Sequence, residues 1–145
     1  MQPTQFTATA TLRAAVFALT ATVFAAVAPS AAQAADPLVG TWQTIKDDNG
    51  NYGHVRIAPC GAKFCGTLVR SFDSAGEAIT SENNGRRIIW DMVQESPGLY
   101  SGGKVYTPDR DRTYNSRLEL SGNRLNVKGC VLGICRSGGT WSRVK

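Results

Sequence analysis

The sequence predicts an all-β fold, an eight-stranded antiparallel up-and-down β-barrel, and three observations lead to it. No helical period of any length follows residue 36. Instead, eight short runs rich in β-branched and aromatic residues follow one another, separated by Gly, Asn and Pro. The runs are joined as sequential hairpins, with no long crossover. A two-sheet sandwich is the alternative, but sequential hairpins favour closure into a barrel, which leaves no sheet edge exposed.

The first 34 residues are predicted to be a cleaved secretory signal peptide. They contain no acidic residue and one basic residue, Arg13, which an apolar run over 14–28 follows directly. Ala32-Gln33-Ala34 then supplies small residues at the spacing that a signal peptidase recognises. The run is shorter than the 20 or so apolar residues that span a bilayer. We therefore expect one domain, residues 35–145, in the periplasm or outside the cell, with no transmembrane segment.

The eight strands and their turns fix a register. The strands are predicted at 39–46, 53–60, 64–72, 86–93, 99–107, 112–120, 124–131 and 139–144. Asn49-Gly50 is the strongest short hairpin signal, and a two-residue turn there pairs Trp42 with Ile57. An inward row of apolar side chains therefore begins on the first two strands.

The next hairpin extends that row to the third strand. A four-residue loop over 61–64 pairs Cys60 with Cys65. The same register sets Ile57 opposite Leu68, on the inward face, and leaves both Cys residues on the outer face.

The C-terminal hairpins follow the same logic. A two-residue turn at Gly122-Asn123 sets Leu120 opposite Leu125. The preceding four-residue loop sets Val105 opposite Tyr114. Turns chosen on local chemistry thus predict one consistent buried face.

The four cysteines form two pairs with the same Cys-x4-Cys spacing. In a reducing cytosol this pattern indicates a four-thiolate zinc site, but in an exported protein disulfides are the expected state. Loop-closure entropy favours long-range bridges, at about 4 kcal/mol against about 2 kcal/mol for short loops. The strand register favours local bridges instead. We therefore expect Cys60–Cys65 and Cys130–Cys135.

The second local bridge requires an irregularity in the last strand. A regular register that pairs Cys130 with Cys135 places Trp141 opposite Arg124 on the outer face. A β-bulge at Gly138-Gly139 would move the residues beyond it to the opposite face of the sheet and turn Trp141 inward. A bulge is therefore predicted there.

Gly40-Thr41-Trp42 on the first predicted strand resembles the Gly-x-Trp signature of lipocalins and other calycins. In that superfamily an Arg or Lys of the last strand packs on the Trp, and Arg143 is the matching residue. The resemblance implies a calycin-like, or lipocalin-like, barrel.

A wider set of residues is similar to the bacterial family Domain of Unknown Function 2147, whose members are small exported proteins. Besides Gly40-x-Trp42, the similar features are Pro59-Cys60-Gly61 with Cys65-Gly66, Ser101-Gly102-Gly103-x-Val105-Tyr106-x-Pro108, Tyr114, Gly129-Cys130 and Thr140-Trp141-x-Arg143-Val144. Together they cover the whole predicted domain. This resemblance implies the same barrel and carries no established activity or catalytic residues.

The predicted barrel interior holds a row of small residues. The registers place Gly103, Ser116 and Gly129 opposite one another on the inward face, which leaves room for a small ligand. The alternative is that these glycines let the sheet bend sharply at a barrel corner. The residues predicted to line a ligand site are Trp42, Trp90, Gly103, Tyr114 and Ser116, with Arg143 supporting Trp42.

Little catalytic chemistry is available in the sequence. The single histidine, His54, is predicted on the outer face. No His is therefore expected to act as the general base of a Ser nucleophile. Asp47-Asp48 and Asp109 lie in turns, where Asp is favoured for its bonds to the backbone. No metal-binding cluster or phosphate loop is present in the pattern. We predict that the protein is not an enzyme and uses no cofactor or metal.

The charge suggests a second class of partner. The formal net charge is +5 over 145 residues, which suits an anionic component of the cell envelope and is also ordinary for a soluble domain. Nucleic acid is an improbable partner outside the cytoplasm. The predicted function is binding of a small, partly apolar ligand within the barrel. The alternative is an envelope interaction module with a filled core and no ligand.

Overall fold

The computed structural model describes residues 34–145, which contain β-strands and no helix. The strands are β1 (Gly40–Gln43), β2 (Tyr52–Cys60), β3 (Lys63–Phe72), β4 (Ala78–Ile79), β5 (Arg87–Ser96), β6 (Leu99–Thr107), β7 (Arg112–Ser121), β8 (Arg124–Val131) and β9 (Ile134–Arg143). Within this part of the chain no helix is long and apolar enough to cross a membrane. The predicted signal peptide, up to residue 33, lies outside the described residues.

Eight of the strands close into an antiparallel up-and-down barrel. These eight strands pair in chain order, with β3 paired directly to β5, and the pairing of β1 with β9 closes the ring. The two-residue strand β4, which the sequence did not predict, pairs with the end of β3 outside this ring. The predicted all-β, eight-stranded up-and-down barrel is confirmed.

The registers of the C-terminal hairpins are those predicted. Val105 lies opposite Tyr114, and Leu120 lies opposite Leu125. The predicted bulge is also present, because the β8–β9 register shifts by one residue at Gly138 and sets Trp141 opposite Leu125. Strand β9 begins at Ile134, five residues before its predicted start.

The first hairpin departs from its predicted register by two residues. Trp42 lies opposite Val55 rather than Ile57. The cause is the side chain of Asp47, whose carboxylate accepts hydrogen bonds from the backbone N–H groups of Asn49 and Asn51, each at 2.9 Å. This Asp-capped loop is longer than the two-residue turn that the sequence predicts.

The second hairpin shifts by two residues as well. A two-residue turn at Gly61-Ala62 replaces the predicted four-residue loop, so Leu68 lies opposite Val55. Cys60 and Cys65 are therefore diagonal rather than directly opposite, and they still form a disulfide.

Both hairpin shifts are even numbers of residues, so Trp42, Ile57 and Leu68 keep their predicted inward face. The predicted inward row becomes Trp42, Val55 and Leu68, and Ile57 remains buried beside it. The disulfides Cys60–Cys65 and Cys130–Cys135 confirm local pairing. The buried core consists of Leu38, Trp42, Val55, Ile57, Leu68, Ile88, Ile89, Met92, Tyr100, Val105, Tyr106, Leu118, Leu125, Val127 and Trp141.

Candidate functional site

One end of the barrel is closed by the segment that precedes β1. Leu38 of this segment is fully buried, and its carbonyl accepts a hydrogen bond from the indole Nε1 of Trp42 at 3.0 Å. The guanidinium of Arg143 lies over the Trp42 ring, 4.2 Å from its centroid. The predicted packing of Arg143 on Trp42 is confirmed, and it forms part of this closed end.

Arg143 also fastens the segment through hydrogen bonds. Its Nη1 donates to the carbonyl of Val39 at 3.1 Å, and its Nη2 donates to the carbonyl of Pro37. A Cβ at Gly40 would lie 2.6 Å from Nη1, and Gly40 has a φ of +148°. The positive φ favours glycine at this position of the Gly-x-Trp motif, and a larger residue would also displace the Arg143 guanidinium.

A second fastening joins the segment to β6. The Tyr100 hydroxyl donates to Oδ1 of Asp36 at 2.6 Å, and the backbone N–H of Leu38 donates to the same oxygen at 2.8 Å. Burial and the hydrogen bond to the Asp36 carboxylate both raise the pKa of Tyr100 well above its ordinary value. Tyr100 therefore stays a neutral donor at any physiological pH.

The opposite end of the barrel is open and leads into a cavity of about 1270 Å³. Its mouth is formed by the β1–β2, β6–β7 and β8–β9 loops and by the connection between β3 and β5. The deep wall is apolar and aromatic and consists of Leu68, Ile88, Val105, Tyr114, Val127 and Trp141. No charged side chain lines this deep wall.

Charged residues of both signs line the mouth instead. The basic residues there are Lys46, Arg110 and Arg136, and the acidic residues are Asp47, Asp48 and Asp109. Asp109 and Arg110 form an exposed ion pair at 3.6 Å, and Asp47 caps its own loop. The cavity thus has an apolar interior and a polar mouth, an arrangement that suits a molecule with an apolar body and a polar end.

The wall near the mouth is held in place at Tyr106. The guanidinium of Arg86 lies 3.8 Å from the centroid of the Tyr106 ring. The Tyr106 hydroxyl donates to Oδ1 of Asp111 at 2.8 Å, and this bond is the main reason that the pKa of Tyr106 is raised. These contacts fix one aromatic ring of the cavity lining.

The connection between β3 and β5 contributes to the mouth. The backbone N–H of Gly85 donates to the Leu68 carbonyl at 2.7 Å, which anchors the connection to β3. Ile79, Ser81 and Asn83 of this connection line the cavity. It therefore forms one side of the mouth.

Of the five residues predicted to line a ligand site, the cavity wall contains Tyr114. Trp42 and Arg143 lie at the closed end. Ser116 is buried in the wall between β6 and β8, and its hydroxyl donates to the Lys128 carbonyl at 3.0 Å. The predicted row Gly103–Ser116–Gly129 is present, and Gly129 at its end lines the cavity.

Gly103 has a different role from the one predicted. A Cβ there would meet the backbone of β5, at the Trp90 carbonyl and 2.8 Å from the carbonyl carbon of Asp91. Gly103 therefore permits the close approach of two strands, and the bend alternative is supported at this position.

Trp90 does not lie on the predicted inward row. Its register partner is Lys104, whose exposed side chain donates to Asn115 at 2.9 Å on the outer face. Trp90 is half-buried, packs against the margin of the core and does not line the cavity. The prediction of an inward Trp90 is wrong. It assumed that side chains alternate regularly along β5, but the strand is irregular at Asp91, which has a φ of +59°.

The sequence analysis missed Trp141, Ile88 and Val127 as lining residues. The predicted bulge already turned Trp141 inward, so the signal for that residue was present. The other two were recognisable as apolar strand residues but not as residues of the cavity wall.

His54 lies on the outer face of β2 and packs against Phe72, with ring centroids 4.5 Å apart. Partial burial, and secondarily Arg70, lower the pKa of His54 below its ordinary value of 6.5. Within residues 34–145 no cluster of three or more His, Cys, Asp or Glu side chains could hold a metal ion.

The chain is similar to one protein family in sequence and to one solved structure in fold. The sequence profile of the bacterial family described as "Uncharacterized protein conserved in bacteria (DUF2147)" matches residues 40–143. No curated protein matches the sequence. The fold is similar to that of a solved structure, protein HP1028 from the human pathogen Helicobacter pylori, which is described as belonging to the lipocalin family. The two share 20% identity with a TM-score of 0.58, over 74% of this chain and 83% of that chain.

Proposed function

We propose that this protein, which belongs to the DUF2147 family, is a non-enzymatic binding protein that holds a small, partly apolar molecule in its barrel. The observation that carries the proposal is the cavity: an apolar and aromatic interior, open at one end and closed at the other by Leu38 and Trp42. A lipocalin-like fold agrees with this function.

The volume of the cavity favours a ligand at or above the usual size of small molecules. Typical small-molecule pockets have volumes of roughly 300–1,000 Å³, and this one measures about 1270 Å³. Tyr114 and Trp141 offer aromatic surface in its interior, and charged groups of both signs surround its mouth. An amphiphile with a hydrocarbon body and a polar end toward solvent fits this arrangement. The open interior counts against the alternative of an interaction module with a filled core.

The two disulfides and the bacterial family fit an exported protein. We propose that the protein works in the periplasm or outside the cell after removal of the signal peptide, residues 1–34. The mass of the protein recovered from the envelope fraction tests this, because cleavage after Ala34 or Ala35 defines its new N-terminus.

Ligand binding is tested by filling the cavity. Gly129 lines it, and a Cβ there would lie 3.4 Å from the Tyr114 side chain, an ordinary contact. Gly129→Leu should therefore fold and occupy the interior. We expect the wild type to bind the fluorescent probe N-phenyl-1-naphthylamine and Gly129→Leu to bind it at least tenfold more weakly.

The matched control is Thr140→Leu, which adds the same side chain at an exposed position of the neighbouring strand β9. It should bind the probe like the wild type. Equal binding by Gly129→Leu and the wild type would place the binding site outside the barrel and overturn the proposal.

A further inference from the structure

The β8–β9 turn exposes consecutive aliphatic side chains at the open end of the barrel. We call residues Val131–Ile134 the apolar tip. Leu132 is 96% exposed, Ile134 67% and Val131 56%. All three also line the mouth of the cavity. Elsewhere in the described chain, exposed aliphatic residues do not occur three together within four positions.

The backbone conformation of the turn disfavours leucine at position 132. Leu132 and Gly133 have φ values of +50° and +79°. A two-residue turn with both φ values positive favours Asn-Gly, because Asn tolerates the left-handed region and larger side chains do not. The stability of the hairpin therefore does not explain Leu132, and such an outlier points to a function at the tip.

The tip is held rigidly in this exposed position. Cys130 and Cys135 flank it, lie directly opposite each other and form a disulfide across the two strands. The disulfide closes the hairpin and restricts movement of the apolar tip relative to β8 and β9.

We propose that the apolar tip inserts into the surface of an anionic lipid bilayer, so that the mouth of the cavity docks against the membrane. The proposal goes beyond ligand binding and holds whether or not the cavity is filled. Transfer of these three exposed aliphatic side chains from water into the bilayer interface is favourable, because it removes their apolar surface from water.

The size and composition of the tip favour a bilayer over a protein partner. A stable protein interface buries about 800 Å² and 20–30 residues on each side, far more than a convex four-residue tip provides. Protein hot spots are also rich in Trp, Tyr and Arg, whereas the tip is purely aliphatic.

The charge of the hairpin favours anionic lipid. From Leu120 to Lys145 the sequence contains no Asp or Glu. Arg136 lies directly after the flanking disulfide, is exposed, and forms no salt bridge with any described residue. Anionic headgroups around an inserted tip would meet this guanidinium.

The test is flotation with lipid vesicles of phosphatidylcholine alone and of equal parts phosphatidylcholine and phosphatidylglycerol. The key variant is Leu132→Asn, because Asn suits the turn and the variant should melt at the same temperature as the wild type or higher. We expect the wild type to float with the mixed vesicles and Leu132→Asn to bind them at least tenfold more weakly. Phosphatidylcholine vesicles should bind the wild type more weakly than mixed vesicles.

The matched control is Val93→Thr, at an exposed aliphatic position on β5 away from the mouth. It should float like the wild type. Gly129→Leu should lose the fluorescent probe and still float, which separates this proposal from ligand binding. Vesicle binding that is absent in the wild type or unchanged in Leu132→Asn would overturn the proposal. So would a dimer of the wild type that Leu132→Asn abolishes, since the tip would then be an interface between copies of this chain.

Discussion

The guanidinium of Arg143 lies 4.2 Å from the centroid of the Trp42 ring and is hydrogen-bonded to the backbone of the segment before β1. The last strand thereby holds residues 37–39, which precede β1, across one end of the barrel. This contact belongs to the closed end of the barrel, and neither Trp42 nor Arg143 lines the cavity.

Replacement of Arg143 should destabilise the closed end. Arg143→Met keeps much of the apolar stem but loses the cation–π contact and two charged hydrogen bonds, so we expect a loss of about 3 kcal/mol in unfolding free energy. Chemical denaturation measures this loss. Arg143→Lys should recover only part of it, because one ammonium cannot lie flat on the indole and bond both carbonyls. A loss below about 0.5 kcal/mol for Arg143→Met would contradict this role.

Two inward glycines should respond differently to the same substitution. Gly103→Ala places a methyl group against the β5 backbone, which cannot move without opening the sheet, so we expect a loss of about 2 kcal/mol or more. Gly129→Ala places its methyl group 3.4 Å from Tyr114, beside the cavity, and should change stability by less than about 1 kcal/mol. Thermal unfolding of the two variants compares their losses of stability. A larger loss for Gly129→Ala than for Gly103→Ala would contradict this interpretation.

The Tyr100 hydroxyl should matter more than the Tyr106 hydroxyl, although each donates to a carboxylate. Tyr100→Phe removes the bond that fastens Asp36 to the buried closed end, and we expect a loss of about 1.5 kcal/mol. Tyr106→Phe removes the bond to the exposed Asp111 and serves as the control, with an expected loss nearer 0.5 kcal/mol. Equal losses in urea denaturation would mean that the bond between Tyr100 and Asp36, in the segment before β1, contributes no special stability.

The unfolding free energy should fall as the pH drops below about 6.5, through the titration of His54. Burial and Arg70 lower its pKa in the folded protein, so the unfolded chain binds more protons between the folded pKa and 6.5. The stabilising neutral form is thus fully present above 6.5 and is lost as the pH falls toward the folded pKa. Because the chain has one histidine, its imidazole NMR signals report this pKa directly. A value at or above 6.5 would refute the prediction, and His54→Gln should remove this part of the pH dependence.

Much of the fold could be predicted from hairpin chemistry. The Gly122-Asn123 turn and the loop before it gave the correct partners for Leu125 and Tyr114, and the bulge at Gly138 followed from the need to turn Trp141 inward. The first hairpin was displaced because Asp47 captures backbone N–H groups of its loop. A side chain that accepts hydrogen bonds from the backbone N–H groups of a loop can change the length of that loop. The alternation of residues along the strands does not reveal this change.

The candidate site was harder to predict than the fold. Tyr114 was placed correctly on the cavity wall, while Trp42 was placed on the correct face but at the wrong end. Alternation along a strand shows which face a side chain occupies. It does not show the height of that side chain along the barrel axis, which depends on the stagger of all eight strands.

The sequence by itself therefore determined the order of the barrel strands, the inward face of most of them and the two local disulfides, because each follows from the two-residue period of strands and from short turns. The tertiary structure alone decided which end is closed, that the interior is hollow and that Leu132 stands at the mouth. These properties arise from contacts between residues far apart in the chain, such as Arg143 with Val39 and Tyr100 with Asp36, which no local pattern encodes.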